Sequence, residues 1–322
     1  MLKSILLILP LVFSAPMVAM AEGETSERNA LKIEEVTEQR NKVPGDIDSD
    51  ILNAKLRADS GSKSKFSLSA TALYSGGTVS SPFGSERPNI KGTPDRQTLS
   101  SLGGGLNGRY RWTKNDSVTA GTTYGIMTPF QGQVSDGTQQ FNIFDPNIAY
   151  NRVGTLGSMQ TTLAVTYAYG TSNESINIDQ TNQYSASMNT MYAFQNKVSL
   201  GSGMSLNYND FTSSPGKNKT ALKKGFYGND TRVAWQVNIF PQAEYRFNST
   251  FSARTLFGYF NWKHLYGDPN SGRLLQTYVY QSIGIGISVT RDIYLYPNVQ
   301  FLPDNFRSQY TNASMAATLN LF

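Results

Sequence analysis

Alternating apolar and polar positions run from Thr231 to Phe247 and resume from Phe251 to Tyr259. In the first segment, apolar residues such as Val233, Val237 and Tyr245 occupy every second position, and most places between them are polar or charged. Successive side chains of a β-strand point to opposite faces, so this pattern predicts two strands, each with one apolar and one hydrophilic face. The three-residue break between them predicts a hairpin.

The same alternation predicts the register of this hairpin. If Phe247 and Phe251 lie opposite one another, Glu244 lies opposite Arg254, and Arg246 is close to both. A charged trio therefore shares the hydrophilic face of the pair. The fold class depends on which of the two faces meets water.

Similar alternation recurs from Lys65 to the C-terminus and predicts about twelve strands. They are predicted at Phe66–Tyr74, Leu102–Trp112, Val118–Met127, Ile148–Val153, Met159–Tyr169, Tyr184–Phe194, Val198–Tyr208, Thr231–Phe247, Phe251–Tyr259, Val279–Val289, from Ile293, and up to Phe322. Five breaks of about three to five residues alternate with six that are mostly longer. Short periplasmic turns and long outer loops alternate in this way in membrane barrels with an even number of strands. The sequence therefore predicts an all-β chain that folds as a closed antiparallel transmembrane β-barrel.

Proline and aromatic positions add detail to this prediction. Proline donates no ladder hydrogen bond, so Pro241 is expected at a bulge or beyond the bilayer. Residues Asn261–Gly272 are predicted as a loop. Aromatic residues beside the short turns predict one interfacial girdle, formed by Tyr110, Trp112, Phe194, Tyr245, Phe247 and Phe251. A second girdle is predicted from Tyr74, Tyr124, Tyr169, Tyr184, Tyr208 and Tyr259.

The N-terminus has the features of an export signal. Lys3 is followed by the apolar run Ile5–Phe13 and by the small-residue site Ala19–Ala21. Residues 1–21 are therefore predicted to be a secretory signal peptide, with a membrane anchor as the alternative. Beyond it, no apolar run approaches the roughly 20 residues of a membrane helix.

Residues 22–64 differ in composition from the barrel and are predicted to be an N-terminal periplasmic segment. They carry ten acidic and seven basic residues, a net charge of −3, whereas residues 65–322 carry a net charge of +7. Weak apolar stripes, one of them through Ile51 and Leu56, predict short helices or a partly ordered tail. Opposite charge favours entry of this segment into the periplasmic mouth, where it would partly occlude the pore. The alternative is a loose periplasmic tail.

Candidate chemistry is sparse. The chain has no cysteine, which excludes disulfides, thiol nucleophiles and cysteine-based metal sites. Gly103–Gly108 matches a dinucleotide fingerprint but lies in a strand with no helix after it. The acids Asp46, Asp48 and Asp50 resemble the start of a calcium loop, but the glycine and glutamate that such a loop requires are replaced by isoleucine and arginine.

Catalysis and cofactors are not expected. The single histidine, His264, cannot build a conventional triad, and no paired carboxylates stand out. The sequence therefore predicts that the protein is not an enzyme, that it uses no cofactor or metal, and that it binds no nucleic acid.

At this point the chain resembles the bacterial outer-membrane β-barrel proteins, in particular the porins. The resemblance covers residues 65–322 and rests on the rhythm of turns and on the C-terminal Phe322. Small or polar residues share the face of Phe322, a departure from the usual terminal signature; they are Asn320, Thr318, Ala316 and Ser314. The resemblance implies an outer-membrane location, contact with its lipids and insertion by the barrel-assembly machinery.

Charge suggests what the interior does. Several arginines fall on the hydrophilic faces, and the predicted lumen-lining residues are Arg109, Arg111, Arg232, Arg246, Arg254 and Glu244. Rings of basic residues in a pore favour anions, so one hypothesis is a porin-like channel for small solutes with a mild anion preference. The alternative is a structural or adhesive barrel whose lumen is filled by internal pairs such as Glu244 with Arg254. A lysine cluster within residues 217–224 is a candidate for lipopolysaccharide phosphates or an ordinary solvated loop.

Overall fold

The computed structural model describes residues 48, 51–88, 98–131, 141–194, 197–214, 232–257, 260–270, 272, 274 and 280–321. The predictions for the signal peptide, Tyr259, Phe322 and the lysine cluster within 217–224 fall outside these residues.

The described residues form one closed antiparallel β-barrel with little helix. Its strands are β1 (Phe66–Thr78), β2 (Glu86–Arg87), β3 (Thr98–Leu99), β4 (Ser101–Arg111), β5 (Asp116–Met127), β6 (Phe141–Ile143), β7 (Asn147–Leu156), β8 (Met159–Tyr169), β9 (Gln180–Phe194), β10 (Val198–Phe211), β11 (Val233–Arg246), β12 (Phe251–Leu256), β13 (Phe260–Leu265), β14 (Gln281–Ser288), β15 (Ile293–Phe301) and β16 (Asn312–Leu321). The helices are α1 (Ala54–Asp59), α2 (Asn173–Asn177) and a 3-10 turn (Ser308–Tyr310).

Twelve spanning strands make up the wall, as predicted. β6 and β7 both pair with β5, and β12 and β13 both pair with β11, so each of these pairs is one interrupted strand. Strands adjacent in sequence pair with one another, and β1 pairs with β16 to close the ring. The small β2–β3 hairpin belongs to the loop between β1 and β4.

The predicted rhythm of connections is confirmed. Five short connections lie at one end: between Phe194 and Val198, and at residues 112–115, 157–158, 247–250 and 289–292. The six connections at the other end are longer, and the one after β1 spans residues 79–100. In barrels of this kind the short-turn end faces the periplasm.

The predicted hairpin register is confirmed, and one predicted loop is wrong. Glu244 pairs with Arg254, and the Phe247 amide donates to the Phe251 carbonyl at 2.9 Å. Within the predicted loop Asn261–Gly272, residues up to Leu265 instead form β13. Alternation of side chains continues there, but its pairing with β11 is offset by one residue from that of β12.

Pro241 lies beside this offset. Gln242 faces Leu256 and Ile239 faces Phe260, so the register shifts by one residue next to Phe240 and Pro241. A shift of one residue is what a β-bulge produces. Proline cannot donate to the ladder, and a bulge is one of the few places in a sheet where it is tolerated. The bulge was one of the two positions predicted for Pro241.

The wall is apolar outside and polar inside. Along β11, the inward side chains of Gln236, Asn238 and Gln242 are buried, whereas the outward Tyr245 is exposed. Exposed apolar side chains on other strands include Leu106, Ile148, Val165, Leu200, Leu206, Ile283 and Met315. Such an exterior is stable only in hydrocarbon, so the barrel spans a membrane.

Aromatic bands lie near both ends, as predicted. At the short-turn end, the rings of Phe66 and Tyr110 have centroids 5.0 Å apart. Near the other end, the ring of Tyr184 lies between Tyr167 and Tyr208, at 5.4 and 6.4 Å. Amphipathic rings at these levels match the two membrane interfaces. Among the described residues, no helix has the length and apolarity needed to cross a bilayer.

One glycine makes room for a large inward ring. Gly203 on β10 faces Phe240 on β11, and a Cβ atom at Gly203 would overlap the Phe240 ring. Phe240 is only 4% exposed, so its ring has little space into which it can move.

We expect Gly203→Leu to destabilise the barrel by about 1–3 kcal/mol, because it overpacks a filled site. Folded wild-type protein should run as a compact band in an unheated detergent gel and convert to an extended band on heating. The variant should convert at a lower temperature, and Gly203→Leu/Phe240→Ala should recover most of the loss. An unchanged conversion temperature would contradict this packing, and no compact band for wild type would contradict a closed barrel.

Candidate functional site

Residues 51–62, called the docked segment, lie inside the barrel at its short-turn end. The segment contains α1, which is capped by Asn53: the Asn53 side chain accepts from the Leu56 amide at 3.1 Å. Capping by asparagine satisfies an amide that the first helical turn leaves unpaired. Ile51 and Leu56 are fully buried in a cluster with Val153 and Met191 of the barrel wall.

Polar side chains of the wall bind the backbone of the docked segment. The Gln160 side-chain oxygen accepts from the amides of Leu52 and Asn53, both at 2.7 Å. From the opposite wall, the Asn320 side chain donates to the Ala58 carbonyl at 2.8 Å. These contacts satisfy backbone groups at both ends of α1, so the wall binds the segment largely through the backbone of the segment.

Three arginines converge on the carbonyl groups that follow α1. Arg109 and Arg111 of β4 both donate to the Ser60 carbonyl, Arg111 at 2.6 Å, and Arg111 also donates to the Ser62 carbonyl at 3.1 Å. Arg291, in the turn between β14 and β15, donates to the Gly61 carbonyl at 2.6 Å. The cationic side of the mouth thus binds the negative ends of the peptide dipoles at the helix C-terminus.

An ion pair adds to this contact upstream of α1. The Asp48 carboxylate lies 3.0 Å from Arg291 and 3.0 Å from Lys63. Arg291 also contacts Asp292, its neighbour in the turn, at 2.8 Å. Asp48 is one of the acids that resembled a calcium loop in the sequence, and in the structure its partners are cationic side chains.

Gly61 allows the chain to turn from α1 towards β1. Its φ is 76°, in the left-handed region that glycine adopts most readily. A Cβ atom at this position would also overlap the Arg109 guanidinium. Both the backbone angle and the close approach of Arg109 therefore depend on glycine.

Lys55 and Asp59, one helical turn apart, form a buried ion pair in the docked segment. Burial lowers the pKa of Lys55 to about 8; Asp59 and Glu244 oppose this effect, and Arg254 adds to it. Burying a charge costs free energy even when it is paired, so Lys55 weakens docking relative to an apolar residue that packs equally well.

The predicted lumen residues fall into distinct groups. Arg109 and Arg111 bind the docked segment, as described above. Glu244 accepts from the Asn53 side chain at 2.9 Å, and Arg254, which lies opposite Glu244 and attracts it, donates to Gln242. Arg246 and Glu244 line a narrow cleft of about 30 Å³ between the docked segment and the wall of β10–β12.

Arg232 lies at the opposite end of the barrel, just before β11. Its guanidinium donates to the Ser213 hydroxyl at 2.6 Å and lies over the rings of Phe211 and Tyr266, at 5.0 and 4.8 Å. Asp179 is 3.8 Å away. The sequence grouped Arg232 with the other arginines, but the structure separates it from the docked segment.

The loop after β1 also reaches the inner wall at the long-loop end. Arg87 donates to the inward Gln300 side chain at 2.6 Å, and the Pro88 carbonyl accepts from Asn312 at 3.2 Å. Burial lowers the pKa of Arg87. Sequence reasoning missed Arg87, and also Gln160, Arg291 and Asn320, because only closure of the barrel brings these residues near their partners.

Other candidate chemistry is not assembled. Gly103–Gly108 lies within β4 and faces its neighbouring strands. The His264 ring stacks on Trp235 at 5.9 Å. Within the described ranges, no three His, Asp or Glu side chains are grouped so that they could hold a metal ion. The prediction that the protein is not an enzyme stays a prediction.

No protein-family model and no curated protein sequence matches the chain. Solved structures with a similar fold include an outer membrane channel from Pseudomonas putida F1, at 9% identity over 82% of this chain and 97% of that one, TM-score 0.49. Others are the NanC porin, at 10% identity over 79% and 97%, TM-score 0.41, and LpxR from Salmonella typhimurium, at 10% identity over 80% and 99%, TM-score 0.36. Likenesses this distant carry no inference about a solute or a reaction. The apolar exterior, the twelve strands and the rhythm of turns make the chain a β-barrel of the outer-membrane type.

Proposed function

We propose that the protein is a passive channel for small hydrophilic solutes and that the docked segment narrows its periplasmic mouth. The observation that carries this proposal is the inner wall beyond the docked segment. There Thr123 is exposed and Thr162 and Thr166 are half-exposed, although all three point inward. Short polar side chains in contact with water are what an aqueous passage requires.

Barrel size supports the same reading. An eight-stranded barrel is filled by its own side chains, and the interior widens with each added pair of strands. This barrel has twelve, and many of its inward positions carry glycine, serine or threonine; examples are Ser67, Ser69, Gly105, Gly121, Thr162, Ser187 and Ser205. Small residues in a wide barrel leave space that water can fill.

A second candidate function is a structural or adhesive barrel without transport. The docked segment at one end and the inward contacts of Arg87 at the other favour it, because each covers part of the lumen. Measurement of conductance in a planar bilayer separates the two functions.

Removing residues 24–62 should increase single-channel conductance, because it clears the periplasmic mouth and leaves the wall strands intact. Gly61→Ala should also increase the conductance of the full-length protein, since alanine is strained at this φ and its Cβ atom would crowd Arg109. The measurement is conductance at low salt, where the ionic contacts of Asp48 are least screened.

The matched control is Gly157→Ala, which also lies at positive φ, in the short turn between β7 and β8, and has nothing within 4 Å of an added Cβ. It should leave conductance unchanged. Equal conductance for the deleted and intact proteins would mean that the segment does not restrict flow. No conductance from either protein would support the structural alternative.

The anion preference is tested at Arg246, which lines the cleft beside the docked segment. Replacing Arg246 with Ser should lower the preference for anions over cations, because it removes a fixed positive charge from a confined passage. Reversal potentials in a salt gradient measure this preference. Arg307→Ser, which removes an exposed charge at the long-loop end, should have a smaller effect. Equal reversal potentials for Arg246→Ser and wild type would place the passage elsewhere.

A further inference from the structure

Two cationic side chains in the mouth, buried Arg111 and half-buried Arg109, donate to carbonyl groups rather than to carboxylates among the described residues. Both donate to the Ser60 carbonyl, and Asp59 and Asp48 attract them without a direct contact. Arg111 is only 7% exposed. The Nε–H group of each guanidinium is buried and lacks a hydrogen-bond partner among the described residues.

Two like charges that share one neutral acceptor are compensated less fully than they would be by an anion in direct contact with both. A hydrogen bond from a cation to an anion is roughly twice as strong as one between neutral groups. The guanidinium fork also matches the geometry of carboxylate and phosphate oxygens. The Ser60 carbonyl therefore occupies a position at which a small oxyanion would bind more strongly.

Arg291 extends this cationic surface across the docked segment. It donates to the Gly61 carbonyl and to the Ser60 hydroxyl, at 2.6 and 3.3 Å. Its contacts with Asp48 and Asp292 show that a carboxylate fits against this part of the mouth.

We propose that Arg109, Arg111 and Arg291 form a binding site for small oxyanions such as phosphates or carboxylates. In the structure, the carbonyl groups of the docked segment occupy this site. The same N–H groups serve both partners, so oxyanion binding and docking exclude one another. This deepens the proposed channel function, because an anionic solute that reaches the mouth would open its own passage.

Competition between an anion and the docked segment for the same N–H groups has a predictable dependence on anion concentration. An anion that binds only the undocked state shifts the equilibrium by a factor of 1 + [anion]/Kd, and docking weakens anion binding by the same coupling. The effect is therefore saturable in anion concentration, unlike screening by salt, which depends on ionic strength.

Absence of cysteine from the chain allows a direct test. Leu56 is 1% exposed in the docked segment, so a single thiol in Leu56→Cys should react slowly with an uncharged maleimide. Replacing chloride by inorganic phosphate at constant ionic strength should accelerate labelling several-fold and then saturate. Ala58→Cys, equally buried and a smaller change, is a second reporter in case Leu56→Cys disturbs docking.

Arg109→Gln/Arg111→Gln should label faster without phosphate, since docking loses two donors, and phosphate should no longer accelerate the reaction. Arg307→Gln, an exposed arginine at the long-loop end, should keep the wild-type phosphate response. Labelling that does not respond to phosphate in either reporter would overturn the proposal. So would an equal response in the double arginine variant.

Conductance measured on the same proteins separates this inference from the channel function. Labelling that depends on phosphate, without conductance, would support the oxyanion site and contradict the channel function. Conductance, with labelling that does not depend on phosphate, would support the channel function and contradict the oxyanion site.

Discussion

The structure depends on one constraint: each backbone polar group within hydrocarbon must find its hydrogen-bond partner inside the protein. A sheet meets it only when its first and last strands pair, and here β1 pairs with β16 over residues 68–78 and 312–321. Closure then fixes the rest. Side chains alternate between lipid and lumen, so an apolar exterior and a polar interior follow from the same ladder.

A polar interior also determines how a segment of the chain binds there. The docked segment has two large apolar residues in its buried cluster, Ile51 and Leu56, whereas its backbone bonds to Gln160, Asn320 and the arginines. Each hydrogen bond between neutral groups contributes a net of about 0.5–1.5 kcal/mol, and each one from an arginine about 1.5–3 kcal/mol, because water competes for the same groups. Docking therefore rests on several modest contacts rather than on one large apolar interface, which is compatible with reversible release.

Features set by local pattern were predictable, and features set by closure were not. The register of Glu244 with Arg254 and the bulge at Pro241 follow from alternation and from the missing proline N–H, and both are present. β13 was missed because a one-residue offset at the bulge interrupts the pattern. The partners of Arg111 were also missed. Ser60 lies 51 residues away in the chain, and no local signal marks a carbonyl group as an acceptor.

The contacts of Glu244 show why partners that the sequence pattern does not predict matter for function. Register places its carboxylate opposite Arg254, and the two charges attract one another. Glu244 also accepts from Asn53, and Arg254 also donates to Gln242. The anionic side of the mouth thus binds the helix N-terminus, where the dipole is positive, and the arginines bind its C-terminal carbonyl groups. Because Glu244 and the arginines lie at opposite ends of α1, their charges favour one orientation of the docked segment, and the segment in turn occupies donors of Arg109 and Arg111.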